Sequence, residues 1–325
     1  MKQYKLGILS AGNIAGVMAE TVSQMDGELV PYAIAARDKK RAEEMARKNG
    51  FLKSYGSYEE LVTDPDVDLV YIASPHSHHY KHTKLCLNHG KHVLCEKAFT
   101  ANAAQAREII ELAKAKKLFL GEAVWTRFMP FLKPLRDLIR QGTIGEVKAV
   151  LCGFGQELSH VNRMTSPALA GGALLDLGIY PLTFATLVLG TEIESITGSA
   201  LLSAQGVDEQ NSFTVKYKGG KTASLSSCMT AWMPNDGIIC GEKGYLRLHD
   251  FWMCQRITVC VRGEKPQVVD CPFEISGYEY EVRAALKALS EGRLCCEEMP
   301  WEETLRLMEV MDGLRASWGV RYPFE

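Results

Sequence analysis

A glutamate and a lysine end the short apolar run Leu94-Cys95-Glu96-Lys97, and these two residue types suggest acid–base chemistry. Open α/β sheets bind their ligands at the carboxyl ends of strands. Burial and neighbouring charges tune the pKa of a lysine in such a place, which makes Lys97 a candidate acid/base group. The alternative is an exposed ion pair at the end of a strand. The elements that precede this pair in the chain decide between the two interpretations.

A turn of small residues near the start of the chain predicts a nucleotide-binding loop. The apolar run Tyr4–Leu9 has the pattern of a strand, and residues 17–25 have that of a helix. Strand, small-residue turn and helix form the context of the G-x-G-x-x-G fingerprint, whose backbone approaches a pyrophosphate at a helix N-terminus. The match is incomplete, because Ser10 takes the first glycine position, Gly12 the second and Ala15 the third.

The second predicted strand, 29–36, ends in the cation-rich segment Arg37-Asp38-Lys39-Lys40-Arg41. An NAD site favours an acidic residue at this strand end, whereas an arginine suits the 2′-phosphate of NADP. A guanidinium also matches phosphate geometry with two parallel hydrogen bonds. The same charges would suit the exposed face of a helix. With the nucleotide-binding turn upstream, Arg37 and secondarily Arg41 predict NADP, with NAD as the alternative.

Five histidines between the third and fourth predicted strands raise the question of a metal site: His76, His78, His79, His82 and His89. His78 and His82 are four residues apart, but the chain has no His-Glu-x-x-His motif, in which a zinc site pairs two ligands with a catalytic carboxylate. We therefore predict no metal. The preferred interpretation is a loop that follows Ser74-Pro75 and lies under the nicotinamide ribose.

The alternation of strands and helices up to Val124 predicts a parallel, doubly wound sheet of the Rossmann type. Its remaining elements are a helix from 57, a strand at 68–73, a helix at 81–88, a strand at 91–95, a helix at 102–116 and a strand at 118–124. After Gly142 the pattern becomes that of an α+β domain with a large, mostly antiparallel sheet. It comprises a strand at 148–155, a helix at 173–189, several strands between 193 and 269, and helices at 278–290 and 301–317. We expect two domains, 1–124 and 125–325, with a cleft between them.

Composition excludes several classes of protein. The 325 residues are 46% apolar and 23% charged, with a net charge of −2, as in an ordinary globular chain. Without a basic stripe, nucleic acid is not an expected partner, and no apolar run approaches the ~20 residues that a membrane span needs. Met1 leads directly into the first strand, which leaves no room for a signal peptide. The ten cysteines form no Cys-x-x-Cys pair, so we expect reduced thiols and a cytoplasmic location.

Six segments in order resemble the Gfo/Idh/MocA oxidoreductases, and within them the branch of the dimeric dihydrodiol dehydrogenases and NADP-dependent D-xylose dehydrogenases. They are Gly7–Ala15, Ala35–Asp38, Ser74–His79, Cys95–Lys97, Glu122–Phe128 and Gly171–Tyr180. The resemblance covers essentially the whole chain, with two departures. Ala98 replaces the proline of the family's Glu-Lys-Pro, which would stiffen the backbone after Lys97. Many members of the family carry a histidine where this chain has Tyr180. A tyrosine at this position resembles the dihydrodiol dehydrogenase branch.

The resemblance implies an NAD(P)-binding domain over 1–124 and a substrate-binding and dimerisation domain over 125–325. It implies that Lys97, Asp176 and Tyr180 are catalytic, and that Trp125, Phe154, Asp176 and Tyr180 contact the substrate. It assigns cofactor binding to Ser10, Gly12, Asn13, Ile14, Arg37, Arg41, Ser74, Pro75, His76, His79, Glu96, Lys97, Trp125 and Arg127. A homodimer or higher homo-oligomer would bury the open face of the large sheet.

The predicted reaction is hydride transfer between nicotinamide and a secondary alcohol or carbonyl of a sugar, polyol or cyclic diol. Tyr180 would carry the proton; its reference pKa is about 10, so it needs a nearby cation, which Lys97 would supply. Asp176 would orient Lys97 or the substrate hydroxyl, and Trp125 and Phe154 would form an apolar wall.

Two other functions stay open on the sequence. An NAD-dependent glycosidase cleaves a glycosidic bond through transient oxidation; Arg37 argues against it, because that chemistry recycles bound NAD. A sensor that binds NADP(H) without turnover is opposed by intact Lys97, Asp176 and Tyr180, although Ala98 leaves it open.

Overall fold

The computed structural model describes residues 3–325 and divides them into two compact units. The first comprises the chain up to Val124 together with Glu274–Met308. The second comprises Trp125–Phe273 together with Glu309–Glu325. The boundary at Val124 coincides with the predicted one, whereas Glu274–Met308 lies in the first unit and not, as the sequence suggested, in the second.

The strands form two separate sheets. The first six, β1–β6, build the sheet of the first unit: Lys5–Leu9, Val30–Ala35, Lys53–Tyr55, Leu69–Ile72, His92–Glu96 and Leu120–Ala123. The other eight, β7–β14, build that of the second unit: Val147–Gly155, Ile193–Leu202, Asp208–Tyr217, Lys221–Cys228, Gly237–Gly241, Gly244–Leu248, Arg256–Val261 and Gln267–Asp270. The predicted fold class, a Rossmann sheet followed by a larger, mostly antiparallel sheet, is confirmed.

Ten α-helices connect or cover these strands within the described chain. They are α1–α10: Asn13–Ser23, Lys39–Lys48, Tyr58–Thr63, His76–Asn88, Ala103–Lys116, Leu132–Arg140, Asn162–Thr165, Ile179–Leu189, Glu279–Ser290 and Trp301–Trp318. Two further turns bear on the site. A 3₁₀ turn spans Trp125–Phe128, and a π-helical turn spans Leu174–Gly178 immediately before α8.

The sheet of the first unit is parallel throughout, in the order β3-β2-β1-β4-β5-β6. Its inner strand β4 is buried along its whole length, as expected where helices cover both faces of a parallel sheet. The strand β6 lies at an edge, where backbone groups need partners other than a strand. The backbone N–H of Leu120 donates to the Leu294 carbonyl (2.9 Å), and Nε1 of Trp301 donates to the Leu120 carbonyl (2.8 Å). Because Glu274–Met308 supplies these partners, it belongs to the first unit.

Local signals explain where several helices begin and end. Ser57 and Glu60 form a reciprocal capping box at the start of α3, and Asn102 caps α5 by accepting from the backbone N–H of Gln105 (3.0 Å). Gly90 follows α4 with φ +73°, a conformation that glycine adopts without steric cost, so the predicted helix stop is confirmed.

The start of α4 corrects a prediction. The histidine segment after Ser74-Pro75 was expected to be a loop, with a helix from residue 81. Instead α4 begins at His76, directly after Pro75, which lies at the N-cap in an extended conformation. The loop prediction is therefore wrong for His76 and His79, which lie in the first turn of α4, and the ring of His79 is fixed there by the Ala98 carbonyl, 19 residues away (2.8 Å).

The sheet of the second unit has the order β14-β13-β12-β11-β7-β10-β9-β8. All of its neighbouring pairs are antiparallel except β7 with β10. The helix α8 packs against β7, β10 and β11 on one face of this sheet.

The helical stretch Pro167–Leu189 is long and apolar enough to span a membrane, contrary to the prediction from the sequence. However, 83% of its most apolar window is buried within the protein, as in a core helix.

Candidate functional site

The carboxyl edge of the parallel sheet brings four predicted cofactor segments together. The strands β1 and β4 are neighbours, and the chain runs outward from them in opposite directions, so this is the topological switch point where such sheets bind nucleotides. Ser10 follows β1, Arg37 follows β2, Ser74 follows β4 and Lys97 follows β5. The sequence predicted each of these loops separately, and the sheet order places them along one edge.

The turn after β1 is shaped to receive an anion. Ser10 has φ +101°, an unusual value for a residue other than glycine, and its N–H donates to the Ala35 carbonyl (2.9 Å). Gly12 is the N-cap of α1, and within the described chain no side chain caps this helix and none in its first turn is acidic. The first backbone N–H groups of a helix have no partner in the helix and attract phosphate oxygens. The turn, with Asn13 and Ile14 in the first turn of α1, therefore fits a pyrophosphate.

The end of β2 is cationic, and its acidic residue is already engaged. Arg37 is exposed, and its charge favours ionisation of the nearby Tyr58 hydroxyl, against the burial that raises the pKa of Tyr58. Asp38 caps α2 by accepting from the backbone N–H of Lys40 (3.0 Å). Arg41 donates to the Ala11 carbonyl (2.7 Å) and thereby joins α2 to the nucleotide-binding turn. Since Asp38 serves α2, the donor set suits a phosphate on the ribose better than a free hydroxyl.

Two histidines of α4 fix the segment after β4. His79 is fully buried, with Nε2 2.6 Å from the Ser74 carbonyl and Nδ1 2.8 Å from the Ala98 carbonyl. The two carbonyls favour the protonated ring, but burial and then His76 outweigh them and lower the pKa of His79 to about 3. His82 bonds the Ser74 hydroxyl through Nδ1 (2.9 Å), and burial lowers its pKa to about 3 as well. The described residues contain no group of three or more potential ligands that could hold a metal ion.

Lys97 is half-buried on a segment that is held on both sides. Glu96, at the end of β5, is buried and accepts hydrogen bonds from the Tyr71 hydroxyl and from the backbone N–H of Lys97 (3.2 Å). Beyond the buried Ala98, the backbone N–H of Phe99 donates to Glu122 (3.2 Å). The sequence raised doubt about preorganisation because Ala98 replaces a proline, and these contacts provide the restraint.

A second carboxyl group lies near Glu96. Glu281 on α9 is fully buried, and burial together with the charges of Glu96 and Glu279 raises its pKa well above the usual range. Burial, together with the charges of Glu96 and Glu281, also raises the pKa of Tyr71 well above its ordinary value. Sequence analysis missed Glu281, because no local motif connects α9 with the end of β5.

In the second unit, Asp176 and Tyr180 lie on consecutive helical segments. Asp176 is in the π-helical turn and Tyr180 at the start of α8. Pro181 lacks an N–H and cannot continue an α-helical ladder, and the wider turn just before it accommodates its ring. Asp176 is buried and forms an ion pair with Arg163 (Nη1 to Oδ2, 2.9 Å). The sequence offered Lys97 or the substrate as its partner and missed Arg163, which lies on the separate short helix α7.

Aromatic side chains form two contacting groups in the second unit, and one of these groups includes Tyr180. Phe154, at the end of β7, stacks on Trp252 with ring centres 4.4 Å apart and meets the ring of Tyr180 edge-on at 5.4 Å. Trp125 lies 6.2 Å from Phe273. We call Trp125, Phe154, Trp252 and Phe273 the aromatic set. The sequence predicted Trp125 and Phe154, but Trp252 and Phe273 carry no periodic signal and were missed. The hydroxyl of Thr126 donates to the Trp252 carbonyl (2.9 Å) and so connects the 3₁₀ turn to this set.

Fold and site together define a class: a dinucleotide-binding oxidoreductase with a second unit built on a large, mostly antiparallel sheet. Residues 4–123 match the oxidoreductase family described as an NAD-binding Rossmann fold, and residues 132–247 match the Gfo/Idh/MocA C-terminal domain. The chain belongs to this Gfo/Idh/MocA family of NAD(P)-dependent oxidoreductases, and the resemblance seen in the sequence is confirmed.

Relatives and solved structures agree with this assignment. Trans-1,2-dihydrobenzene-1,2-diol dehydrogenase of Xenopus tropicalis is 38% identical over 98% of this chain and 99% of its own. The Homo sapiens protein of the same name is 36% identical over 98% of this chain and 97% of its own. Among solved structures, a 3-ketoreductase from Actinomadura kijaniata in complex with NADP and TDP-benzene shares the fold, with a TM-score of 0.88 at 23% identity. That likeness covers 97% of this chain and 98% of the ketoreductase.

The low pKa of His82 predicts a pH-dependent stability. Native His82 stays neutral down to about pH 3, whereas in the unfolded chain it takes up a proton below its ordinary pKa of 6.5. Its contribution is therefore present above pH 6.5 and is lost as the pH falls towards 3, by up to about 1.4 kcal/mol per pH unit. We expect His82→Gln to flatten the loss of unfolding free energy between neutral and mildly acidic pH, measured by urea denaturation. His89→Gln, at an exposed position, is the matched control, and equal slopes in the two variants would contradict the prediction.

Proposed function

We propose that the protein is an NADP-dependent dehydrogenase that oxidises a secondary alcohol of a cyclic diol or sugar, or reduces the corresponding carbonyl. The observation that carries the cofactor choice is the pair Arg37 and Asp38 at the end of β2. The guanidinium is exposed there, while the carboxylate caps α2. The relatives named as dihydrodiol dehydrogenases support the substrate class. A survey of polyols, aldoses and cyclic diols with NADP, followed by the absorbance of the reduced nicotinamide, tests the proposal as a whole.

The cofactor would lie along the carboxyl edge of the parallel sheet. The backbone N–H groups at the start of α1 would bind its pyrophosphate, and Arg37 with Arg41 would bind the 2′-phosphate. Ser74, Pro75, His76, His79, Glu96 and Lys97 border the same edge and stay our candidates for the ribose and nicotinamide. Trp125 and Arg127, on the 3₁₀ turn of the second unit, stay predicted cofactor contacts. When bound, NADP supplies the acceptor or donor of the hydride.

The chain's own residues would handle the proton and hold the substrate. As the hydride leaves carbon, the alcohol must release its O–H proton, for which Tyr180 is the proposed acceptor. The ammonium group of Lys97 would hold the same oxygen and favour ionisation of the tyrosine. Asp176, paired with Arg163, would act as an ionised acceptor for a neighbouring substrate hydroxyl.

The aromatic set indicates a flat, partly apolar substrate. The rings of Phe154 and Trp252 stack at 24° to each other, and the rings of Phe154 and Tyr180 meet edge-to-face. Aromatic surfaces of this kind bind planar rings and the C–H faces of sugars, while a few polar groups fix orientation. An unsaturated cyclic diol offers both features, a ring with an apolar face for the aromatic set and two hydroxyls for Tyr180 and Asp176.

The cofactor choice predicts the effect of a charge reversal. Arg37→Asp should weaken NADP binding roughly 10- to 100-fold, because a charge-assisted hydrogen bond is lost and a repulsion is added. Arg47→Asp makes the same change of charge at the far end of α2 and should leave NADP affinity unchanged. Titration of both dinucleotides by tryptophan fluorescence measures the effect. Tighter binding of NAD than of NADP by the unmutated protein would contradict the assignment.

The chemical step predicts a matched pair of losses. Tyr180→Phe keeps the ring that packs on Phe154 and removes the hydroxyl, and Lys97→Met keeps the stem and removes the charge. Each should lower kcat by roughly 10²- to 10⁴-fold, the usual contribution of a positioned acid/base group. The double variant should lose little more than the worse single one, because groups that act on one proton are not additive. Tyr80→Phe, on α4, also removes a tyrosine hydroxyl and changes no group of the proposed mechanism, so it is the control.

Stopped-flow hydride transfer is the measurement for this step. NADP affinity should survive Tyr180→Phe and is expected to fall with Lys97→Met, because Lys97 borders the proposed nicotinamide site. If Tyr180→Phe transfers hydride at the parent rate with an unchanged pH profile, then tyrosine does not carry the proton.

A homodimer through the open face of the large sheet is the assembly that we propose. The face opposite α8 exposes the apolar side chains of Leu151, Tyr245 and Val268, which are 44%, 43% and 54% accessible. An exposed apolar face of this kind marks an interaction surface, and a two-fold dimer is the commonest solution.

Light scattering at micromolar concentration should give a multiple of 36.1 kDa, most simply a dimer. Leu151→Lys should shift the mass towards the monomer, Leu52→Lys in the first unit should not, and a monomeric parent would refute the assembly.

A further inference from the structure

A buried carboxylate that the proposed mechanism does not use holds the segment with Asp176 and Tyr180. Asp208 begins β9 and is fully buried. Its Oδ2 accepts from the backbone N–H of Leu174 (2.7 Å) and from Nδ2 of Asn211 (2.8 Å). Leu174 is the first residue of the π-helical turn, where a backbone N–H has no partner within its own helix. Asp208 therefore supplies, from a strand, the acceptor that an N-cap side chain usually provides.

The hydrogen bonds continue to the other end of the same turn. Asn211 accepts through Oδ1 from the hydroxyl of Ser227 (3.0 Å). Gly178, the last residue of the turn, packs so closely on Ser227 that a β-carbon at Gly178 would lie 3.0 Å from its hydroxyl oxygen. The polar chain Asp208–Asn211–Ser227 thus contacts the first and the last residue of the π-helical turn. Asp176 lies inside the turn, and Tyr180 lies two residues beyond it.

The backbone before the turn is fitted to the same carboxylate. Gly172 has φ +119°, and a β-carbon on it would lie 2.2 Å from Oδ1 of Asp208, so no other residue fits this position without a shift. The N–H of Gly172 donates to the Met164 carbonyl (2.8 Å), and the hydroxyl of Tyr322 donates to the Gly171 carbonyl (2.9 Å). The two glycines before the turn are therefore fixed by the Met164 carbonyl, the Tyr322 hydroxyl and the close contact with Asp208.

We propose that Asp208 is a positioning residue, whose carboxylate fixes the π-helical turn and thereby places Asp176 and Tyr180 for the reaction. The proposal rests on the proposed function, since it is that function which gives Asp176 and Tyr180 their roles. The carboxylate acts through the Leu174 N–H and the polar chain, and its loss displaces the reacting groups and leaves their chemical nature unchanged.

The charge of Asp208 changes within the range of pH at which the enzyme can be assayed. Burial raises the pKa of Asp208 to about 6, against the opposing effect of the hydrogen bonds from Asn211 and Leu174. Arg315, from the last helix, faces it and favours the carboxylate, and is itself paired with Asp312 and Glu325. Tyr322 faces it as a neutral hydroxyl, because burial raises the pKa of Tyr322. As the pH falls through about 6, Asp208 becomes neutral and its hydrogen bond to the turn weakens.

Two substitutions separate the geometry from the charge. Asp208→Ala removes both hydrogen bonds. Asp208→Asn keeps an oxygen for Leu174 and Asn211 but removes the charge at every pH. Thr186→Val is the matched control, because Thr186 is a buried polar residue of α8 whose hydroxyl bonds only the nearby Thr183 carbonyl in the described structure (2.9 Å). It should lower thermal stability without affecting the turn.

Hydrogen exchange tests the positioning without any substrate. Peptides that cover Leu174–Tyr180 should lose protection in Asp208→Ala and keep it in Thr186→Val. Unchanged exchange of these peptides in a folded Asp208→Ala protein would overturn the proposal. This result does not depend on the assignment of the reaction, so a failure to find any oxidisable substrate would remove the proposed function and leave the structural part of the proposal standing.

Kinetics test the consequence for the reaction. Asp208→Ala should lower kcat by about 100-fold with little change in KM or NADP affinity, as expected when reacting groups are displaced by about 1 Å. In the parent enzyme, kcat should fall by a step as the pH drops through about 6, and Asp208→Asn should lack this step. Around pH 6, the kcat of Asp208→Asn should equal that of the parent on the acidic side of the step. A parent-like step in Asp208→Asn, or an equal loss of kcat in Thr186→Val, would contradict the positioning role.

Discussion

Parallel hydrogen bonding among β1, β2, β4 and β5 is the constraint on which the candidate cofactor site depends. Parallel strands all present their carboxyl ends at one edge, so every loop that leaves these strands starts from the same side of the sheet. Ser10, Arg37, Ser74 and Lys97 lie along that edge although long stretches of chain separate them. Any fold that reversed one of these strands would move its loop to the opposite edge. The chemistry of the first unit is thus a consequence of strand direction.

Burial of polar groups organises both units more tightly than the apolar core could alone. A buried N–H or carboxylate without a partner costs more than the net gain from one hydrogen bond, so each buried group selects a specific neighbour. In the first unit, Glu96 joins Tyr71 to the backbone of Lys97, and His79 joins Ser74 to Ala98. Such contacts fix positions and orientations that apolar packing would leave adjustable.

The second unit applies the same principle to a helix end. Leu174 begins the π-helical turn without a local cap, and the acceptor comes from Asp208 on another element. Pro181, which lacks an N–H for the helical ladder, follows this turn by three residues. An irregular helix that carries two candidate site residues is therefore held by hydrogen bonds from a strand. This arrangement places Asp176 and Tyr180 on or next to the one turn whose first N–H is bonded by Asp208.

The sequence by itself determined the local elements and the chemical types at the site. Periodicity and turn residues predicted β1, β2, β4, β5 and the helices that follow them, because these signals depend on residues close together in the chain. The context of the strand ends likewise predicted Lys97 and Arg37 as site residues, and the family resemblance predicted Tyr180. Only the tertiary structure decided that α4 starts at His76 and that Glu274–Met308 covers the edge of β6. It alone also revealed Arg163 beside Asp176, Trp252 beside Phe154, and Asp208 beneath Leu174. These partners are far apart in sequence, and nothing local encodes them, since a buried polar group or an exposed edge selects its partner only once the chain has folded.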